Sequence, residues 1–200
     1  MTRKEVKVKK QPMMKIILNE QTPPSTDMIN TKKWILKNKD KLHSFLAFSR
    51  SKKKAAALAS NQVAFYGERI FDRFFSIRTR KENNNWDLII NPKIKSVNGD
   101  LKEIEERCLT WPGKVIVANR HPGIIVSYWD QDCNFIENEF IENYEAQVWQ
   151  HEIDHLNGKQ EEFKPIKEER KISLPGRNDK CPCGSNKKFK KCCANNSQEK

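Results

Sequence analysis

His151, Glu152 and His155 stand together in the run Gln150-His151-Glu152-Ile153-Asp154-His155. On an α-helix, residues four apart share a face, so both imidazoles point at one place about 6 Å from each other. That spacing suits two ligands of one metal ion, with Glu152 beside them to take a proton from an activated water. Gly158 follows closely, where a helix C-terminal cap is expected. Such a run also arises by chance on helices, and by itself it lacks a third ligand.

Cys108 is the best third ligand. It falls on a predicted strand, followed by Leu109 and Thr110. One thiolate and two imidazoles leave a tetrahedral position open, the pattern of a catalytic metal site. An ion there lowers the pKa of a water to about 7, and Glu152 can move the proton to a leaving amine. The competing reading of Cys108 is a buried, inert thiol. A second group, Cys181, Cys183, Cys192 and Cys193, closes the chain. Its four thiolates around Gly184-Ser185 can form a structural Zn²⁺ site that supplies the folding free energy of a segment too small to bury a core. Two disulfides are the rival arrangement.

The elements that must position these groups fit one domain and a small appendage in 200 residues. The hydrophobic fraction of 36% fills one core, and a charged fraction of 32% leaves the remainder solvated. No apolar run reaches the ~20 residues of a membrane span, and Met13 to Leu18 is too short for a signal-peptide core. The expected location is the cytoplasm, where six cysteines point to metal or reactive thiols rather than disulfides. The net charge of +12 is uneven. Residues 1–54 carry 15 basic and 4 acidic side chains (+11), residues 55–163 carry 12 and 18 (−6), and residues 164–200 carry 11 and 4 (+7). Cationic ends draw a chain to polyanions, nucleic acid above all; the plainer reading is that lysine-rich ends are solvated.

Along the chain, residues 1–15 read as a basic disordered arm and Asp27 to Asn61 as mainly helical. Strands are expected at Arg69 to Ile77, at Trp86 to Ile90 ending on Asn91-Pro92, and at Ile94 to Val97. Asn98-Gly99 then turns into a hairpin with Leu101 to Leu109. Val115 to Ala118 and Gly123 to Trp129 read as another strand pair. Helix resumes near Glu139 and ends at Gly158. The fold class is α+β: an antiparallel strand-rich core with an N-terminal helix, a central metal helix and a small zinc-stabilised C-terminal module. The domain from 16 to 165 is followed by a charged linker at 166–174 and the module at 175–195.

The surroundings of the histidines resemble the peptide deformylases, hydrolases that remove N-formyl groups from nascent proteins. Three blocks carry the resemblance: Ala55 to Gln62 (AAALASNQ), Glu106 to Thr110 (ERCLT) and Gln150 to Gly158 (QHEIDHLNG). Ile90 to Ile94 and Pro112-Gly113 fit between them. The resemblance implies that Cys108, His151 and His155 hold the metal, usually Fe²⁺, with Ni²⁺, Co²⁺ or Zn²⁺ as substitutes. Glu152 is then the general acid/base, and the Gln62 amide with the Leu109 backbone N–H forms the oxyanion hole. The implied substrate is an N-formylmethionyl nascent peptide whose methionine enters a pocket walled by Ile104, Tyr144 and Val148. Glu106 and Arg120 match positions that the family pairs by charge.

Several positions depart from that family. Ala55 and Ala57 stand where glycines let backbone pass close to substrate, and glycine also serves where φ is positive. Arg107 replaces the glycine before Cys108, and on a regular strand its side chain points away from the cysteine's face. Ser60 stands for a small alanine and Gln147 for an arginine. Two rivals to deformylation follow: a catalytically weak, deformylase-like adaptor, or a hydrolase of another N-acylated peptide. The tail from Arg177 to Cys193 resembles the SEC-C zinc motif, with Asn186 in place of its usual glycine. That resemblance implies docking, and Lys187, Lys188, Lys190 and Lys191 around Phe189 suit the ribosome and its RNA.

Overall fold

The computed structural model describes residues 14–78, 85–159, 162–163, 177–178, 180–181 and 185–192. The chain divides into two compact units, residues 1–164 and 165–200. The arm expected at 1–15 lies almost wholly outside the described residues, and the linker expected at 166–174 entirely so.

The first unit is α+β, built on antiparallel sheets. It begins with β1 (Met14–Ile16), α1 (Thr31–Lys37) and α2 (Lys39–Arg50). After β2 (Ala57–Ala59) comes one 3-10 turn, Ser60–Gln62, then β3 (Val63–Phe65), β4 (Glu68–Arg69) and β5 (Phe74–Arg78). Five more strands and a helix complete it: β6 (Trp86–Asn98), β7 (Lys102–Glu106), β8 (Ile116–Arg120), β9 (Gly123–Trp129), β10 (Phe135–Glu142) and α3 (Asn143–Leu156). The central sheet runs β10-β9-β6-β5-β2, flanked by a three-stranded sheet β1-β3-β4 and a ribbon β7-β8.

Strand periodicity explains the layers. In β6, Trp86, Leu88 and Ile90 face one core cluster with Ile35, Leu42 and Phe45 of α1 and α2. Ile89 between them faces a second cluster with Ala146, Trp149 and Ile153 of α3. Phe74 and Phe75 divide between the same two cores. Successive strand residues point to opposite faces, so a sheet covered on both sides needs an unbroken apolar run, and Leu88-Ile89-Ile90 supplies it. Trp149 meets Phe75 edge-on at 5.1 Å and Tyr128 at 5.2 Å, which fixes the roll of α3 against the sheet.

Several expectations change. The helix foreseen over Asp27 to Asn61 is two helices ending at Arg50. The alanine-rich block that follows forms β2, because pairing with β5 (Ala57 to Ile77, Leu58 to Ser76) outweighs helix propensity. β6 does not stop at Asn91-Pro92. Asn91 takes a left-handed φ of 53° and the register slips between Ile90 and Lys93, a bulge that accommodates a proline without an N–H. Asn98-Gly99 turns the chain but joins no hairpin, since β6 pairs with β5 and β9 while β7 pairs with β8. Likewise β8 and β9 belong to different sheets. Residues 139–142, expected as the start of a helix, end β10; α3 begins at Asn143.

In the second unit, Lys180 and Lys188 form an antiparallel bridge, and the Cys181 N–H donates to the Lys187 carbonyl at 2.8 Å. One 3-10 turn spans Phe189–Lys191. Asn186 has φ 57°, a left-handed conformation that asparagine tolerates better than most side-chain-bearing residues. That accounts for an asparagine at a glycine position.

Candidate active site

α3 brings His151 and His155 onto one buried face with their rings edge-on, centroids 4.7 Å apart. Their Nε2 atoms lie 3.1 Å from each other, and the Cys108 sulfur lies 3.2 Å from His155 Nε2. The three ligand atoms all fall within 4.8 Å of one another and can hold a metal ion. Cys108 is not on a strand as expected: β7 ends at Glu106, and the cysteine opens a turn in which the Trp111 N–H donates to the Cys108 carbonyl at 3.2 Å.

The hydrogen-bond partners of each ring show that this donor set fits a cation. Glu106 Oε2 lies 2.7 Å from His151 Nδ1, so that nitrogen carries the proton. His155 Nδ1 faces Thr22 Oγ1 at 3.4 Å, and the Thr22 hydroxyl itself donates to the His155 carbonyl at 3.2 Å. The threonine oxygen is therefore left to accept from Nδ1–H. With both Nδ1 atoms turned to groups that accept, the two Nε2 atoms converge with the sulfur, an arrangement a bound cation satisfies. Burial, then the neighbouring His151 and Arg120, push His155 well below its usual pKa and keep it neutral. Burial opposes the charged form of His151 too, but Cys108 and Glu106 outweigh it and raise its pKa, so this side of the cluster attracts positive charge.

Glu106 is itself held. Arg120 donates to both of its oxygens, each bond 2.9 Å, and also to Asp154 on α3. Burial would raise the Glu106 pKa, yet the hydrogen bonds and charges of His151 and Arg120 bring it to about 2.

Gln62 is oriented from the other side. Its Oε1 accepts from the Ala59 N–H at 2.8 Å, which turns its amide nitrogen toward the cluster. Nε2 lies 2.9 Å from Thr110 Oγ1, 3.2 Å from the Cys108 sulfur and 3.1 Å from His155 Nε2. Asn61 beside it donates to the carbonyls of Pro23 (2.8 Å) and His155 (2.5 Å), tying the 3-10 turn to the end of α3.

A cleft of about 660 Å³ opens onto this cluster. Gln62, Cys108, Leu109, His151 and Glu152 line it, as do Tyr144 and Val148. Ile104 is not among the lining residues. It pairs with Ala118 inside the β7-β8 ribbon, and the cleft wall begins at Glu105. Arg107 is exposed and lines the cleft instead of pointing away from it, because the chain leaves the strand before reaching it. Ala55 and Ala57 also line the cleft. Neither has a positive φ, and each is buried in a core cluster, so these backbone positions accept a side chain. The cysteines of the tail are in part beyond view: Cys181 is buried and Cys192 half-buried with its sulfur 3.2 Å from Ser185 Oγ, while Cys183 and Cys193 lie outside the described residues.

Thr22, Asn61 and Asp154 carry no sequence signal for their roles. Thr22 reaches His155 across 133 positions of chain, and only the folded path of Thr22 to Ser25 over the end of α3 brings them together.

The chain belongs to the polypeptide deformylase family, whose model matches residues 8–169; the SEC-C motif matches residues 177–195. It is 32% identical over 130 residues to peptide deformylase 2 of Coxiella burnetii, a match covering 60% of this chain and 61% of that one. The crystal structure of peptide deformylase from Thermotoga maritima superposes with a TM-score of 0.55 at 27% identity, over 74% of this chain and 94% of that one. A 56-residue stretch is 45% identical to the protein translocase subunit SecA of Finegoldia magna, covering 28% of this chain and 6% of that protein. The chain thus spans about three fifths of the length of the Coxiella relative. Among the described residues no helix is long and apolar enough to cross a membrane.

Proposed function

We propose that this protein is a metal-dependent hydrolase that removes the N-formyl group from the N-terminal methionine of nascent proteins in the cytoplasm. The observation that carries the reading is the convergence of the Cys108 sulfur and the Nε2 atoms of His151 and His155 beneath a cleft lined by Gln62 and Glu152. Cys108, His151 and His155 would hold a divalent ion, ferrous iron or in its place nickel, cobalt or zinc. Bound there, the ion supplies Lewis acidity that lowers the pKa of a water and polarises the formyl carbonyl.

The chain's own groups do the rest. Glu152 takes the proton of the attacking water and delivers it to the departing amine of methionine, so formate leaves as the C–N bond breaks. The Gln62 amide, fixed by Ala59, donates to the oxygen on which negative charge develops, with the Leu109 backbone N–H as second donor. β2 is the edge of its sheet and its flank lines the cleft, so an extended substrate backbone can lie along it. Tyr144 and Val148 wall the place for the methionine side chain. The test is formate release from a formyl-Met peptide by anaerobically purified, iron-loaded protein. Wild type no faster than Glu152→Ala refutes the reading. Cleavage of a different acyl group alone would move it to the hydrolase of other N-acylated peptides.

For the tail we infer a docking module in which Cys181, Cys183, Cys192 and Cys193 hold Zn²⁺. The exposed Lys187, Lys188 and Lys191, with Lys190 and Phe189 beside them, favour ribosomal RNA as partner. Cosedimentation with ribosomes, with and without residues 172–200 and across salt, tests it; indistinguishable binding refutes tethering.

A further inference from the structure

Three cations border the cleft, and the chemistry above uses none of them. Lys54 precedes β2, Arg107 and Lys114 flank the Cys108 turn, and all three line the cleft. Lys54 and Arg107 are exposed, and the ion pairs of the described residues involve neither. The Lys114 ammonium sits 4.5 Å from the Trp111 ring and 4.6 Å from the Phe163 ring, an aromatic seat that holds a cation in place without neutralising it. Of the carboxylates on these walls, Glu106 is neutralised by Arg120 and Glu152 belongs to the reaction. Glu105 is the one further carboxylate among the lining residues, beside three cations.

Their placement gives this charge a register. An extended chain rises about 3.3 Å per residue. The second to fourth residues of an extended peptide thus lie within about 10 Å of the first, and Lys54 stands in the turn that leads into β2, three positions before Ala57. A peptide held at the Gln62–Cys108 end and lying along β2 therefore passes the cations with the residues just after its first. We propose that the cleft selects acidic N-termini: formylated chains with Asp or Glu at the second to fourth positions, counting the formylated methionine as the first. This specificity rests on the deformylase reading of the same site. Single exposed ion pairs contribute little, but several cations focused on one cleft add up and also speed encounter.

The test compares formyl-Met peptides whose second to fourth residues are acidic, neutral or basic, using the full-length, metal-loaded protein. At about 50 mM salt, kcat/KM for the acidic peptide should exceed that for the basic one by about tenfold or more, and at about 500 mM the ratio should shrink to about two. In the triple variant Lys54→Gln, Arg107→Gln, Lys114→Gln the ratio should approach one, whatever the overall rate. Fluorescence anisotropy with unformylated Met-Glu-Asp and Met-Lys-Lys peptides reads the same preference without turnover. Formate released equally from acidic and basic peptides overturns the proposal and leaves the deformylase reading standing. No formate from any peptide overturns that reading, and anisotropy then decides this one: equal binding refutes charge selection, and acid-selective binding supports it.

Discussion

The guanidinium of Arg120 binds the carboxylate of Glu106 through two hydrogen bonds of 2.9 Å, and the same Glu106 oxygen that meets Arg120 Nη2 also lies 2.7 Å from His151 Nδ1. Arg120 thus acts on His151 through Glu106. It keeps the carboxylate charged and fixed, and the carboxylate fixes the tautomer and tilt of the ring. Partners of this kind tune metal affinity without touching the ion.

Glu106→Gln should weaken metal binding by about 10- to 100-fold, since an amide holds the imidazole proton less strongly than a carboxylate. Competition of cobalt or zinc against a chromophoric chelator measures it. Arg120→Met should cost more in folding than in chemistry. It strands a buried carboxylate, and breaking a buried pair costs about 3–5 kcal/mol. Urea unfolding of the metal-free protein reads that loss, and a change below about 1 kcal/mol would contradict a buried, paired Glu106.

The same carboxylate sets an acid limb. Its pKa is held near 2 in the folded chain against an ordinary 4.5. A depressed folded value means that the stabilisation is fully present above the unfolded pKa and is lost as pH falls from about 4.5 toward 2. Metal-free wild type should lose stability steeply across that window. Glu106→Gln should be less stable at pH 7 but show a flatter slope below about 4.5. Urea midpoints at several pH values would reveal parallel slopes if this account were wrong.

Gly158 should resist substitution. Its φ of +67° is left-handed, and a Cβ there would lie 2.7 Å from the Pro24 nitrogen. Gly158→Ala should cost about 1–3 kcal/mol through strain. Because Pro23 and Pro24 belong to the segment that lays Thr22 against His155, it should also loosen the metal centre. A stability loss with unchanged metal affinity would disconnect the two.

Much of the centre was legible because its signals are local. The histidine pair needs one helix, and the helix pattern around it is strong. Cys108 joins the histidines as its residue type suggests, but it lies past the strand, since nothing in Glu105-Glu106-Arg107 marks the end of β7; that end is set by pairing with β8. For the same reason Arg107 does not follow strand alternation and lines the cleft. β2 was hidden for a different reason. Its alanines favour helix locally, and only β5 and the two cores make them a strand. The family resemblance puts Ile104 in the pocket wall; here it pairs with Ala118 in the ribbon and is not among the residues that line the cleft. Thr22, Asn61 and Asp154 act through long-range contacts between polar groups, which leave no periodic trace in a sequence.

Gln62 offers the sharpest separation of binding from chemistry. Its Oε1 is committed to the Ala59 N–H at 2.8 Å, so its amide nitrogen is aimed at the cluster before substrate arrives. A donor oriented in advance stabilises charge that develops in the transition state more than it stabilises the ground-state carbonyl. Gln62→Leu should therefore lower kcat for formate release by about 100-fold or more, with KM changed much less. Gln62→Glu has similar shape but replaces the NH₂ donor with a carboxylate, and it should be at least as impaired. Metal titration controls for damage to the centre, because Gln62 Nε2 also lies 3.2 Å from the Cys108 sulfur. If metal affinity holds and kcat stays within about threefold of wild type, the transition state draws no stabilisation from this amide and the oxyanion role assigned to it is wrong.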